Sequence, residues 1–231
     1  GDHRDLHLSI RRQRQMCIRD RHKHNVKIAV NTTIKLIAFD LGNVLCTVDE
    51  TPASKQLANV CDKPWEDVHE IVFGPDQKQQ FERNAVTFDQ HAVRALAALG
   101  IDMPLDEFTQ IYDSVLIPSA SMFPLVDRIA ENHRIALVSN TSEPHWKSAA
   151  NFLPFSSKLD PVIVSYEVRA MKPEPAFYDS LITNSNVLKE EIFFIDDLAV
   201  NIEAALDYGM IGHQFTSQNA LEKVLADLSV I

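Results

Sequence analysis

Short apolar runs alternate with longer segments of helical period along most of this chain. Ile34–Phe39 (IKLIAF), Arg134–Ser139 (RIALVS), Pro161–Ser165 (PVIVS) and Glu191–Ile195 (EIFFI) are each five or six residues long, and Met210–Phe215 is a weaker fifth. Runs that are apolar without a break suit strands covered on both faces, as in a parallel sheet. Between them the spacing predicts helices over Met122–Asn132, Glu143–Phe152, Pro175–Thr183, Ala199–Tyr208 and Asn219–Leu228. Pro144 falls in the first turn of one of these, and Gly209 stands where a helix-ending glycine belongs. Strands that alternate with helices make βαβ units with right-handed crossovers. The expected fold class is therefore α/β, a Rossmann-like parallel sheet.

Residues 49–118 interrupt that alternation. No convincing strand is legible there. Helical spacing covers Pro52–Asn59, Pro64–Phe73, Phe88–Leu99 and Leu105–Leu116. Thr87 with Gln90 matches a capping box, and Gly100 can end the helix that follows. A helical block of this length is too long for a simple crossover. It reads as a helical cap inserted after the first strand. The expected organisation is a core of residues 34–48 and 119–231, a cap of 49–118, and a leader of 1–33.

Charge separates the leader from the rest. Residues 1–33 carry eight Lys or Arg against three Asp, whereas 34–231 carry 14 basic and 29 acidic residues within an overall net charge of −10. The stretch Arg11–Arg21 (RRQRQMCIRDR) reads as a disordered or non-native leader rather than a nucleic-acid arm. A body this acidic is a poor partner for nucleic acid or an anionic membrane. Any phosphate site in it must be a local positive spot in a negative field. Three cysteines (Cys17, Cys46 and Cys61) without metal spacing suit a reducing compartment, hence a cytoplasmic protein. No run of about 18 apolar residues is present to span a membrane.

Four polar clusters fall at strand ends or helix starts, the edge at which open parallel sheets bind ligands. They are Asp40, Ser139-Asn140-Thr141, Lys172 in Ala-Met-Lys-Pro-Glu-Pro, and Asp196-Asp197. Each has an ordinary reading alone: an Asp or Ser as helix cap or turn, a Lys before Pro as a solvated charge. Together they meet the needs of phosphoryl transfer. A carboxylate can attack phosphorus, and fixed donors and a metal ion can neutralise the equatorial oxygens. Mg²⁺ takes oxygen ligands, usually from only one or two carboxylates. Asp40 and Asp196 would supply them, Ser139 and the backbone at Asn140 would donate to phosphate, and Lys172 would add positive charge.

The ordered set resembles the haloacid dehalogenase superfamily from about Ile34 to Phe215. The resemblance implies Asp40 as nucleophile, Ser139 as the hydroxyl of the second motif and Lys172 as the third. It also implies Asp196-Asp197 as the acidic pair, with Asn201 in a DDxxxNIxxA pattern, and Asp40, Gly42, Asp196 and Asp197 around Mg²⁺. Most members are phosphatases, and a helical insert at this place is similar to their first cap type, which closes over the site and selects the substrate. One position departs from the pattern. The second Asp that usually follows the nucleophile by two residues, as the proton donor, is here Gly42. The string Asp-Leu-Gly-Asn-Val-Leu with Ser-Asn-Thr resembles a branch that includes α-glucose-1-phosphate phosphatases; Glu143 or His145 could assist as acid, but the preferred reading of both is structural.

The expectation is a phosphohydrolase of a small phosphorylated metabolite, a sugar phosphate by preference, working as monomer or homodimer through an aspartyl phosphate. Two rivals stay open: a metal-free 2-haloacid dehalogenase, against which the acidic pair argues, and a non-catalytic phosphometabolite-binding relative, which Gly42 would suit. Specificity is expected in 49–118.

Overall fold

The computed structural model describes residues 33–231. The basic leader proposed for 1–33, and Cys17 with it, lies outside the described residues apart from Thr33. From Ile34 onward the chain forms one compact unit.

Five strands build a wholly parallel sheet: β1 (Leu36–Phe39), β4 (Arg134–Ser139), β5 (Leu159–Val164), β6 (Ile192–Asp196) and β7 (Ile211–Gln214). Their order is β5-β4-β1-β6-β7. β1 is central, with Phe39 opposite Leu137 on β4 and opposite Ile195 on β6. The apolar runs become strands because both faces are covered. Ile37 and Phe39 enter one core, with Leu137, Phe193 and Ile195, while Leu36 and Ala38 enter the other, with Ala136, Phe177 and Phe194. That split is the two-residue period of the pleat.

β5 begins at Leu159, two residues before the expected start. The Asp160-Pro161 pair sits within it, where the register against β4 shifts between Ile135 and Leu137. Proline cannot donate to a ladder, and an edge strand with an irregularity is where it is tolerated. Around the sheet lie α6 (Phe123–Ile129), α7 (Glu143–Phe152), α9 (Pro175–Ser185), α10 (Ala199–Asp207) and α11 (Gln218–Asp227), and the one-turn α8 (Ser165–Val168) follows β5. Gly209 follows α10 with φ 92°, the left-handed region that a side chain resists.

The helical stretch contains α1 (Thr51–Ala58), α2 (Trp65–Phe73), α3 (Pro75–Phe81), α4 (Phe88–Leu99) and α5 (Leu105–Asp113). These bury a third apolar cluster, including Leu57, Val72, Phe73, Phe81, Phe108 and Tyr112. The capping box of Thr87 and Gln90 forms in both directions, and Gly100 ends α4 with φ 68°. Two features depart from the sequence reading. Helix α3 was not legible, because Pro-Asp-Gln-Lys-Gln-Gln-Phe carries one apolar anchor. And α5 stops at Asp113, after which Leu116–Pro118 forms β3, antiparallel to β2 (Cys46–Val48). So 49–118 does contain a strand. Three residues are too few to show a period, and this ribbon returns the chain beside its exit point. Val48 and Leu116 touch both the sheet-side core and the helical core.

Phe194 on β6 is fully buried. Phe194→Ala should cost about 3–5 kcal/mol of unfolding free energy, read by urea titration of the far-UV circular dichroism; a cost below about 1 kcal/mol would mean the sheet core is packed differently.

Candidate active site

Parallel strands deliver their C-terminal ends to one edge, and the polar clusters gather there. Asp40 follows β1, Ser139 ends β4 and Asp196 ends β6. The Asp40 N–H donates to the Ile195 carbonyl at 2.9 Å, which extends the β1–β6 ladder into the site.

Lys172 joins these ends. Its Nζ is 2.9 Å from Asp40 Oδ1 and 2.6 Å from Asp196 Oδ2, and it donates to the Val138 carbonyl at 2.8 Å. Its side chain is only 1% exposed. Such an ammonium is tolerated because every proton has an acceptor and two of these are charged. Asn140 fixes the loop that carries it. The Lys172 N–H donates to Asn140 Oδ1 at 2.7 Å, and Asn140 Nδ2 donates to the Lys172 carbonyl at 3.0 Å. Asn140 thus spends its amide on positioning Lys172.

The acids are held as carefully. Asp40 Oδ1 also accepts from the Leu41 N–H at 2.7 Å, and no hydrogen bond reaches its other oxygen among the described residues. Asp196 Oδ1 accepts from the Leu198 N–H and from Asn201 Nδ2, both at 2.9 Å. Asp197 Oδ2 accepts from Asn43 Nδ2 at 3.0 Å, and its carbonyl accepts from Gln214 Nε2 at 3.0 Å. Ser139 is buried beside them; its hydroxyl reaches only the Asn140 carbonyl, at 3.5 Å, the limit of a hydrogen bond. Asn43 and Gln214 gave no signal in the sequence. Asn201 was visible only through the resemblance.

One carboxylate oxygen each from Asp40, Asp196 and Asp197 lies within 4.8 Å of the others. Three acids against one ammonium leave a surplus of negative charge. Hard oxygen donors alone are what a cation such as Mg²⁺ takes, so the residues fit the ion. The Cys46 thiol is not among the converging ligand atoms: it donates to the Leu41 carbonyl at 3.5 Å, and burial, then the charge of Asp40, pushes it up to about 12. Burial likewise raises the Asp40 carboxyl to about 6, against the pull of Lys172 and with a further push from Asp196. For Lys172, burial works downward, but the two carboxylates outweigh it and hold the ammonium above its ordinary range. Gly42, bridged to Cys46, lies in the same loop as Asp40.

The two suggested substitutes for the absent second Asp do not serve. Glu143 is on the surface, paired with Lys147 at 2.6 Å. His145 is buried, donates from Nε2 to the Tyr112 carbonyl at 3.2 Å and stacks on the Tyr112 ring at 4.2 Å between centroids. It is a packing contact between helix α5 and helix α7.

Residues 34–209 match the family described as "Hydrolase: haloacid dehalogenase-like hydrolase". The chain belongs to that family. It is thus an enzyme, a hydrolase with the α/β core and helical insert that the sequence resemblance implied. Two curated relatives that it matches along most of their length are phosphatases. It is 23% identical to the D-ribitol-5-phosphate phosphatase of Bacteroides thetaiotaomicron over 76% of this chain and 89% of that protein. It is 24% identical to the sesquiterpene phosphatase astK of Aspergillus oryzae, over 82% and 93%. Among solved structures, the HAD family enzyme bt-2542 of B. thetaiotaomicron, in complex with magnesium and inorganic phosphate, superposes with a TM-score of 0.71 at 22% identity, over 81% of this chain and 98% of that one. The L-2-haloacid dehalogenase of Xanthobacter autotrophicus shares the fold at a TM-score of 0.58 and 17% identity, over 86% and 85%. No described helix is long and apolar enough to cross a membrane.

Burial lowers the His145 pKa from its ordinary 6.5 to about 4. Between those values the unfolded chain takes up a proton that the folded ring refuses, so His145 costs stability as pH falls from about 6.5 to about 4. His145→Gln should recover on the order of 2 kcal/mol relative to the parent over that window, measured as the change in unfolding free energy between pH 7 and pH 4.5 for both proteins. Identical pH slopes would contradict a sealed, neutral ring.

Proposed function

We propose that this hydrolase is a Mg²⁺-dependent phosphatase of a small phosphorylated metabolite, with a sugar or sugar-alcohol phosphate favoured. The observation that carries the reading is the contact of one buried ammonium with Asp40 and Asp196 while Asp197 closes a three-carboxylate cluster around them. Asp40 attacks phosphorus through the oxygen that no donor holds. The Asp40–phosphorus bond forms as the ester oxygen departs, giving an aspartyl phosphate that water then hydrolyses. Lys172 neutralises the developing charge while it keeps Asp40 and Asp196 in register. Ser139 Oγ and the backbone N–H groups around Asn140 and Thr141 are the donors for the remaining phosphoryl oxygens. Asp40, Asp196, Asp197 and the Gly42 carbonyl would hold Mg²⁺, which supplies positive charge to the phosphoryl group when bound. The helices of 51–113, which reach the sheet edge through Tyr112 on His145 and Arg83 with Glu174, would select the organic part of the substrate.

The similarity to a ribitol-phosphate phosphatase and the charged side chains of the cap favour a polar substrate. Glu50 pairs with both His69 and Lys78 there, a setting that suits hydroxyls more than a hydrocarbon. The dehalogenase reading is weaker, since carbon-directed attack needs no cation and leaves the Asp196-Asp197 pair unexplained.

A panel of sugar phosphates, polyol phosphates and nucleotides with Mg²⁺ should identify the substrate. On the best of them, EDTA should abolish phosphate release and Asp40→Asn should reduce it at least about 1,000-fold. Lys172→Ala should lower kcat more than about 100-fold. Chloride release from a 2-haloacid that persists in EDTA would move the assignment to the dehalogenases, and an unchanged kcat in Lys172→Ala would overturn the role given to its ammonium.

A further inference from the structure

An alkyl phosphate expels its alcohol only when some group protonates the departing oxygen. Gly42 cannot do so, and shortage of room is not why it stands there. A Cβ added at Gly42 would meet only Val48 Cγ2, at 3.5 Å, an ordinary contact. With Glu143 on the surface and His145 sealed in packing, the donor must come from another element.

Glu82 directly follows α3 in the cap. It is 8% exposed, and its carboxylate makes no hydrogen bond or ion pair among the described residues. Its oxygens are not among the sealed unpartnered atoms, so the group opens onto some accessible space. An unpaired acid this buried is costly unless it is neutral or has work to do. The charges that act on it come from Lys78 and Glu50 in the cap and from Asp40 and Lys172 in the catalytic centre, yet it forms an ion pair with neither lysine. The residue next to it is tied to the loop that carries Lys172. Arg83 pairs with Glu174, and Glu174 Oε2 accepts from the Met171 N–H at 3.3 Å, one residue before Lys172. In-line transfer puts the departing oxygen across phosphorus from Asp40. Its proton donor must therefore stand off from Asp40 by roughly 5–8 Å rather than touch it. A buried cap carboxyl next to Arg83, whose partner Glu174 belongs to the Lys172 loop, and itself bonded to neither Asp40 nor Lys172, suits that station.

The geometry points to Glu82 as the proton donor to the leaving oxygen, an assignment that rests on the phosphatase reading above. In the first step the Asp40–phosphorus bond forms, the phosphorus–ester oxygen bond breaks, and the Glu82 proton passes to the departing alkoxide. In the second, water attacks phosphorus, the Asp40–phosphorus bond breaks, and the proton of the water returns to Glu82. Burial raises Glu82 to about 7, with Lys78 drawing it down and Glu50 and Asp40 pushing it up, so both forms are at hand near neutral pH. The sequence gives no sign of this, because a lone Glu in Gln-Gln-Phe-Glu-Arg-Asn has no motif.

The test compares two leaving groups in one turnover. With Mg²⁺, the parent, Glu82→Gln and the double variant Glu82→Gln/Gly42→Asp are mixed with p-nitrophenyl phosphate, whose phenolate departs unprotonated, and with ribitol 5-phosphate, whose alkoxide cannot. Single-turnover release of ribitol should fall about 100-fold in Glu82→Gln, while the first-turnover burst of p-nitrophenol stays within about threefold, which also shows that the variant is folded. The second Asp in the double variant should restore ribitol release at least about tenfold. An equal loss on both substrates without rescue, or no loss on either, would overturn the role of Glu82. A parent inactive toward both would instead overturn the phosphatase reading.

Discussion

A single ammonium, taken out of water and shared by two carboxylates, is the constraint around which the catalytic edge is organised. Lys172 bonds Asp40, Asp196 and the Val138 carbonyl at once, so it ties the ends of β1, β4 and β6 to one point. Without it two buried carboxylates would face one another unpaired, which is far costlier than the pair itself is favourable. The positioning therefore extends outward. Asn140 clamps the Lys172 backbone, Asn201 and the Leu198 N–H orient Asp196, and Asn43 orients Asp197. The arrangement still carries more acid than base. That imbalance is tolerable beside a divalent cation, and on the proposed phosphatase reading it is what suits this edge to phosphate in an acidic protein.

Topology explains why this edge holds the site. The chain leaves central β1 for β4 and β5 on one side and later returns to β6 and β7 on the other, so connections run in opposite directions from either side of β1. A crevice opens where the direction reverses, outside the carboxyl ends of the strands. Asp40 and Asp196 stand on its two walls. The β2–β3 ribbon carries the chain out to the helices of 51–113 and back, which lets those helices form an apolar cluster of their own. Tyr112 stacked on His145 and Arg83 paired with Glu174 are two points at which that cluster rests on the sheet side.

Much of this was legible in the residues because burial on both faces writes a continuous apolar run, and three such runs ended where polar clusters began. Asp40, Ser139 and Asp196 were found through those ends, Lys172 through the Met-Lys-Pro string before a helix, and the helix limits at Thr87, Gly100 and Gly209 through cap chemistry. What stayed hidden is what depends on tertiary contact. A three-residue strand such as Leu116–Pro118 has no period to read. Asn43 and Gln214 act on Asp197 from far away in sequence, and Glu82 is a lone acid in Gln-Gln-Phe-Glu-Arg-Asn, so no local pattern gives any of them a role. His145, near the second motif, allowed a catalytic and a structural reading, and its helix turns it toward Tyr112, as the structural one required.

The central claim is that the carboxylates around Lys172 hold one cation at the sheet edge. Crystals soaked in Mn²⁺ and measured at the manganese absorption edge test it without reference to turnover. One anomalous peak is expected, bound by Asp40 and Asp196 with Asp197 beside it, and lost in Asp196→Asn. Well-ordered crystals with no peak there at saturating Mn²⁺, or a peak held only by surface acids, would contradict it.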